Sequence, residues 1–202
     1  MTTDAYASSG REGRAMAQPI SDLPVSVEEY LRLEEASAVK HEYVAGEITA
    51  LAGASRRHNR IAGNIFARLL AASRNSSCRV YISDVKLRAA EDVFYYPDVM
   101  VACGPEPENP FVETAPCLLV EVTPPTTQVV DRREKLLIYK RIPTLKAYLV
   151  VHQDARRVER HWRDETGAWR YADLVREGRV PLPCPEIELA LGEIYEGTDV
   201  PE

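Results

Sequence analysis

The chain has 202 residues, 45% of them hydrophobic and 28% charged, with a formal net charge of −6. That length is enough for one domain with a real hydrophobic core, and the ordinary composition excludes a disordered or fibrous protein. The negative charge excludes binding to nucleic acid through a broad basic surface, because such binding depends on neutralising phosphates, so any contact of that kind has to be local.

Residues 1–22 are polar and rich in small side chains, with no apolar run. They predict a disordered, dispensable leader that is neither a signal peptide nor a membrane anchor, with residues 23–202 forming one domain. The expected location is the cytoplasm, away from membranes. Ser26 and Glu29 have the spacing of a capping box and predict a short helix to about Glu35. Glu42 to Leu51 reads as two short strands turned at Gly46.

From Arg56 to about Ser73, Ile61, Ile65, Leu69 and Ala72 recur at helical spacing. Arg79–Ala89 and Val93–Cys103 read as two strands, followed by a polar, proline-rich loop over 104–110. Cys117–Val122 is an apolar run interrupted by one carboxylate, as in a central buried strand. Asp131–Arg141 predicts a helix stopped by Pro143, and Leu145–Val151 a further strand. The remainder suggests a hairpin around Trp162, Trp169 and Tyr171, then β structure from Ile187 to Tyr195. The four cysteines, Cys78, Cys103, Cys117 and Cys184, include no CxxC pair, so they are expected to be reduced core thiols.

Two carboxylates stand out. Asp98 ends Tyr96-Pro97-Asp98 beside one strand, and Glu121 lies between Val120 and Val122 in the buried run. An ionised group in an apolar strand is costly unless it is paired or ligates a metal, and two such acids on neighbouring strands chelate a divalent ion. The competing reading of Glu121 is a salt-bridged strand carboxylate. Strand alternation puts Thr123 on the same face as Glu121, where an E-x-K motif would carry lysine. Lys135 shares a helical stripe with Asp131 and Tyr139 and could supply that ammonium, or it could be a solvated lysine paired with Asp131.

These segments resemble the bacterial Uma family (type two) of restriction-endonuclease-like proteins, within the PD-(D/E)XK nuclease superfamily. The resemblance rests on Tyr96-Pro97-Asp98-Val99, Leu118 to Thr126 around Glu121, Asp131 to Lys135 with Tyr139, and Ile142 to Tyr148. Glu42 to Glu47 and His58 to Asn64 fit as well, so it spans about residues 25–197. It implies an α/β, restriction-endonuclease-like fold in which a mixed central sheet is flanked by helices, with additional β-hairpins and the lysine moved to the helix after the glutamate strand. Thr123-Pro124-Pro125-Thr126 and Ala147 depart from the family pattern without removing a metal ligand.

The resemblance implies phosphodiester hydrolysis by an endonuclease, with DNA as the expected substrate. Asp98, Glu121 and the Val122 carbonyl would hold Mg²⁺, for which Mn²⁺ can substitute. Lys135 would orient water or stabilise charge, and Glu42 would be an auxiliary ligand to metal or water unless it is simply an exposed hairpin carboxylate. His58 shares a helix face with core residues and reads as a structural histidine. Asp84 and Lys86, alternating on one strand, are candidates for outer contacts to the site. Arg56, Arg57, Arg60, Arg132 and Arg133 could touch phosphates or form solvated faces. A homodimer would suit cleavage of both strands. The rival readings are a non-catalytic module on the same fold that binds nucleic acid or protein, and a hydrolase of another phosphoester.

Overall fold

A computed structural model describes residues 24–124 and 129–201, so the leader predicted over 1–22 lies outside the described residues. In chain order the elements are α1 (Val27–Ala36), β1 (His41–Val44), β2 (Glu47–Ala50), α2 (Arg56–Ser73), β3 (Arg79–Ile82), β4 (Lys86–Ala90), β5 (Val93–Tyr95) and β6 (Val99–Ala102). They continue as β7 (Val112–Glu113), β8 (Pro116–Thr123), α3 (Val129–Tyr139), β9 (Ala147–His152), β10 (Arg157–Arg163), β11 (Trp169–Val175), β12 (Arg179–Pro183), β13 (Glu186–Ala190) and α4 (Leu191–Ile194). The result is a mixed α/β fold.

The central sheet has the order β11-β10-β9-β8-β6-β3 and is antiparallel except for the parallel pair β8 and β9. A parallel pair needs a crossover, and α3 belongs to the one that joins β8 to β9. Alternation along β8 divides the core. Leu118, Val120 and Val122 pack with Ile61, Ile65 and Leu69 of α2, whereas Leu119 packs with Tyr139, Tyr148 and Val150 on the α3 side.

Each of the two long strands expected over 79–103 is broken in the middle. β3 pairs with β6 in the central sheet, and β4 pairs with β5 in a second sheet of order β2-β1-β5-β4-β7. The four strands are one long hairpin, bent where Ser83 takes φ 58° and where Pro97 cannot donate to a ladder. Ser83 N–H donates to the Asp98 carbonyl across the bend at 3.1 Å. Asp98 therefore sits in a gap between sheets, just ahead of β6, and not within a strand.

The segment at 191–194 is helical where β structure is expected, because the Glu193 carboxylate accepts from Ala190 N–H and starts a turn. At α1, Ser26 Oγ accepts from Glu29 N–H as the capping box requires. The Glu29 carboxylate turns to Arg32, which leaves the box half closed. The cysteines, expected as free thiols, are paired as Cys78–Cys103 and Cys117–Cys184. Their separations of 25 and 67 residues hid the pairing, since sequence spacing carries no proximity at that range. No helix among the described residues is long and apolar enough to cross a membrane.

The β1–β2 turn uses Ala45 and Gly46, both at positive φ. Gly46 is at +100°, and a Cβ there would lie 2.8 Å from Pro24 Cβ and 3.1 Å from Pro24 Cα. The close approach exists because Val25 N–H donates to the Gly46 carbonyl at 2.9 Å, which seats the start of α1 on the hairpin. Gly46→Ala is expected to destabilise the protein by about 1–3 kcal/mol, the cost of a strained φ with a backbone clash added. Urea unfolding with an unchanged slope and a lower midpoint is the expected readout.

Candidate active site

The site is built where the hairpin bend meets the end of β8. The Asp98 carboxylate accepts from Val122 N–H through Oδ2 at 2.7 Å, an acceptor supplied to the strand from the gap where β6 has not yet begun. Val99 of β6 lies opposite Val120 of β8. The register therefore brings Asp98 beside the Glu121–Val122 end of β8.

Glu121 points to the α3 side, with its side chain 12% exposed. Tyr139 OH donates to Glu121 Oε1 at 2.8 Å, and Lys135 Nζ lies 3.6 Å from the same oxygen. Lys135 also donates to Glu42 Oε1 at 2.7 Å and sits over the Tyr95 ring. Glu42 is thus partly buried and lines the same cleft as Asp98 and Glu121. It holds the ammonium from β1, the far side of the cleft. Asp131, the alternative partner for Lys135, and Arg132 lie outside the residues whose side chains are described.

His58, read from sequence as structural, is bonded to a candidate carboxylate: its Nε2 lies 3.1 Å from Asp98 Oδ2. Ser55 explains its placement. Ser55 Oγ caps α2 by accepting from His58 N–H at 3.1 Å and donates to Gln153 Oε1 at 3.0 Å, fastening the helix start beside the end of β9.

Asp84 and Lys86 do not reach the carboxylates. Asp84 lies outside any strand and pairs with Lys40 at 2.8 Å, exposed to solvent. Lys86 donates to Tyr96 OH at 3.2 Å, and Tyr96 in turn donates to the buried Glu34 at 2.7 Å. Both lysines sit over the Tyr96 ring and buttress the wall of the cleft.

The cleft has a volume of about 930 Å³, and its lining includes Glu42, His58, Asp98, Glu121, Val122 and Lys135. Three carboxylates share it with one lysine. Burial pushes the Glu121 carboxyl up to about 7; Lys135 opposes the rise, and the charges of Asp98 and Glu42 add to it. For His58, burial lowers the pKa, but the hydrogen bond and charge of Asp98, then Glu121 and the Val122 backbone, outweigh it and leave the ring raised. Such an excess of negative charge calls for a cation.

The donor set fits a hard one. Two carboxylates and the Val122 carbonyl are all oxygen. The buried Thr123 hydroxyl, on the same strand face as Glu121, makes no hydrogen bond among the described residues and adds one oxygen in want of a partner.

The raised Glu121 has a consequence for the metal-free protein. A carboxyl whose folded pKa lies above its ordinary value gives stability that is full below the ordinary value and is lost as pH climbs through the folded one. As the rise runs from 4.5 to about 7, the loss falls between those two pH values. Glu121→Gln is expected to be more stable than the unmodified protein at pH 8 in EDTA, with the difference shrinking toward pH 4.5. Equal melting temperatures at both pH values would show that the carboxylate is not strained.

Known proteins share this architecture. The sequence model of the Uma2 family, described as "Putative restriction endonuclease", matches residues 27–192. An uncharacterized Synechocystis protein, slr1290, is 32% identical over 176 residues, covering 86% of this chain and 92% of its own length. A second, sll1609, is 34% identical over 154 residues, covering 74% of this chain and 86% of itself. In fold, the chain is similar to the crystal structure of a protein from Anabaena variabilis described as a putative nuclease belonging to DUF820. The TM-score is 0.71 at 16% identity, over 85% of this chain and 98% of that one.

Proposed function

Because this chain belongs to the Uma2 family of putative restriction endonucleases, we propose that it is a Mg²⁺-dependent endonuclease hydrolysing phosphodiester bonds of DNA at the Asp98–Glu121 cleft. One observation carries the reading: the hairpin bend places Asp98 on the Val122 amide while Lys135 stands 3.6 Å from Glu121. Two acids and an ammonium thus meet at the mouth of a central strand.

Mg²⁺, or Mn²⁺ in its place, would be held by Asp98, Glu121 and the Val122 carbonyl, and would supply polarisation of the phosphate and a more acidic water. The chain's own groups do the rest. Lys135 presents an ammonium to the charge that develops on the phosphate oxygens, and Glu42 fixes its direction. Tyr139 fixes the rotamer of Glu121, and His58 fixes that of Asp98.

Substrate binding has a local electropositive track, as the overall negative charge requires. Arg56, Asn59 and Arg60 are exposed on the first turns of α2, along a groove that shares Ser55 and Asn59 with the cleft. Arg57 is instead engaged by Asp199. The α2 N-terminus adds its own partial positive charge toward a passing phosphate. Arg56→Ala with Arg60→Ala is expected to weaken DNA binding similarly on all sequences and to lower the salt slope by about 2. An unchanged slope would remove α2 from the interface.

Incubating the protein with supercoiled plasmid, single-stranded DNA and RNA, with Mg²⁺ or EDTA, tests the proposal. Mg²⁺-dependent nicking or linearisation of the plasmid is expected. Tight binding without cleavage under any metal would make the protein a binding module on this fold.

A further inference from the structure

At the opposite end of the same strands from the Asp98–Glu121 cleft, four cysteines converge. Cys78 precedes β3 and Cys103 follows β6, on the strand pair that aligns Arg79 with Ala102. Cys117 lies near the start of β8, and Cys184 lies in the turn between β12 and β13. The sulfurs pair as Cys78–Cys103 and Cys117–Cys184, yet the pairs also touch: Cys103 Sγ lies 3.2 Å from Cys117 Sγ. Cys103, Cys117 and Cys184 have their sulfurs within 4.8 Å of one another.

Cys117 reaches this cluster because of a defect in the ladder. The register between β6 and β8 slips between Val101, opposite Leu118, and Ala102, opposite Pro116, so Cys117 is the extra residue of a bulge. A bulge re-aims its side chain. Strict alternation would send Cys117 to the side of Leu119, but it packs instead with Leu118, Val120 and Cys184 on the α2 side. Three of the sulfurs are mutually close and Cys78 is bonded to one of them, and four thiolates from four chain segments are the donor set of a soft-metal centre.

We propose that, with both pairs reduced, Cys78, Cys103, Cys117 and Cys184 form a tetrathiolate site for Zn²⁺ that anchors the β12–β13 hairpin to the central sheet. Reduction takes two electrons and two protons per pair from a dithiol, which is itself oxidised to a disulfide. The ion then displaces the four thiol protons. The hairpin's strands pair only with each other and meet the body of the protein through the buried Val180, Leu182 and Leu189, so the ion would add a bonded link to that packing. The site is chemically distinct from the oxygen-lined cleft and does not depend on the nuclease reading.

The test uses the full chain carrying Asp98→Asn and Glu121→Gln, so that the cleft contributes no carboxylate pair. After reduction with dithiothreitol and anaerobic desalting, four thiols per chain are confirmed by titration and Co²⁺ is added. One equivalent is expected to give the sulfur-to-cobalt charge-transfer absorption and the d–d bands of a tetrahedral thiolate centre, both bleached by one equivalent of Zn²⁺. Cys117→Ser should lose most of the absorption. Should that variant not fold, Cys78→Ser, at the more exposed edge of the cluster, should weaken and blue-shift it. A chain with four free thiols and no charge-transfer band would overturn the proposal, as would a band that both serine variants keep unchanged.

Discussion

Asp98→Asn is expected to abolish Mg²⁺-dependent cleavage while leaving the fold intact. The structure gives the reason for choosing asparagine: its side-chain oxygen can still accept from Val122 N–H, whereas alanine would leave a strand amide without its partner at a cost of about 1–3 kcal/mol. What asparagine cannot do is carry the negative charge that a divalent ion requires. Metal affinity should fall by at least about 10–100-fold, the loss that follows even when only a ligand's supporting partner is removed. Cleavage should fall by roughly 10³-fold or more if charge stabilisation at the phosphate goes with the ion. Glu121→Gln should behave alike in cleavage, and its added stability at high pH separates loss of chemistry from loss of structure. Calorimetry with Mn²⁺ provides the affinities. Binding as strong as in the unmodified protein would place the metal elsewhere.

Lys135→Ala is expected to cost roughly 10²-fold or more in cleavage rate, the scale for removing one charge-stabilising donor. Metal binding should survive, since an ammonium is not a ligand. The surrounding contacts sharpen this prediction. Lys135 is held by Glu42 at 2.7 Å, so Glu42→Gln should reproduce part of the rate loss by releasing the ammonium, again with metal affinity retained. If Glu42 instead ligated the ion, the same variant would bind metal less tightly. In the Lys135→Ala background, Thr123→Lys would return an ammonium to the strand face shared with Glu121 and should restore part of the activity. A Lys135→Ala protein that folds, binds Mg²⁺ and cuts at the normal rate would take the lysine out of the mechanism.

How much of this was legible in the residues varies with the range of the interaction involved. α2 appears in the sequence over Arg56 to about Ser73 because its apolar spacing is local. β8 is equally plain as a buried run that carries one carboxylate, Glu121. The break of the long hairpin at Ser83 and Pro97 was not visible, because a strand that changes sheets keeps its β composition throughout. The partner of Lys135 was hidden for a similar reason. Helical spacing offered Asp131, whose side chain lies outside the described residues, while one observed partner, Glu42, lies 93 residues away in the second sheet. The partner of His58, Asp98, lies 40 residues away and is equally out of reach of periodicity, which places a residue on a face and does not say what that face meets. The Cys117–Cys184 pairing goes with a bulge in β8, which no composition announces.

The central claim, that Asp98 and Glu121 share one divalent cation, is tested most directly by anomalous diffraction from crystals soaked in Mn²⁺. One peak is expected in the cleft, about 2.1 Å from a carboxylate oxygen of each residue and from the Val122 carbonyl, and it should be absent in Asp98→Asn crystals. A cleft without a peak at saturating Mn²⁺, or a peak that leaves either carboxylate free, would contradict the account.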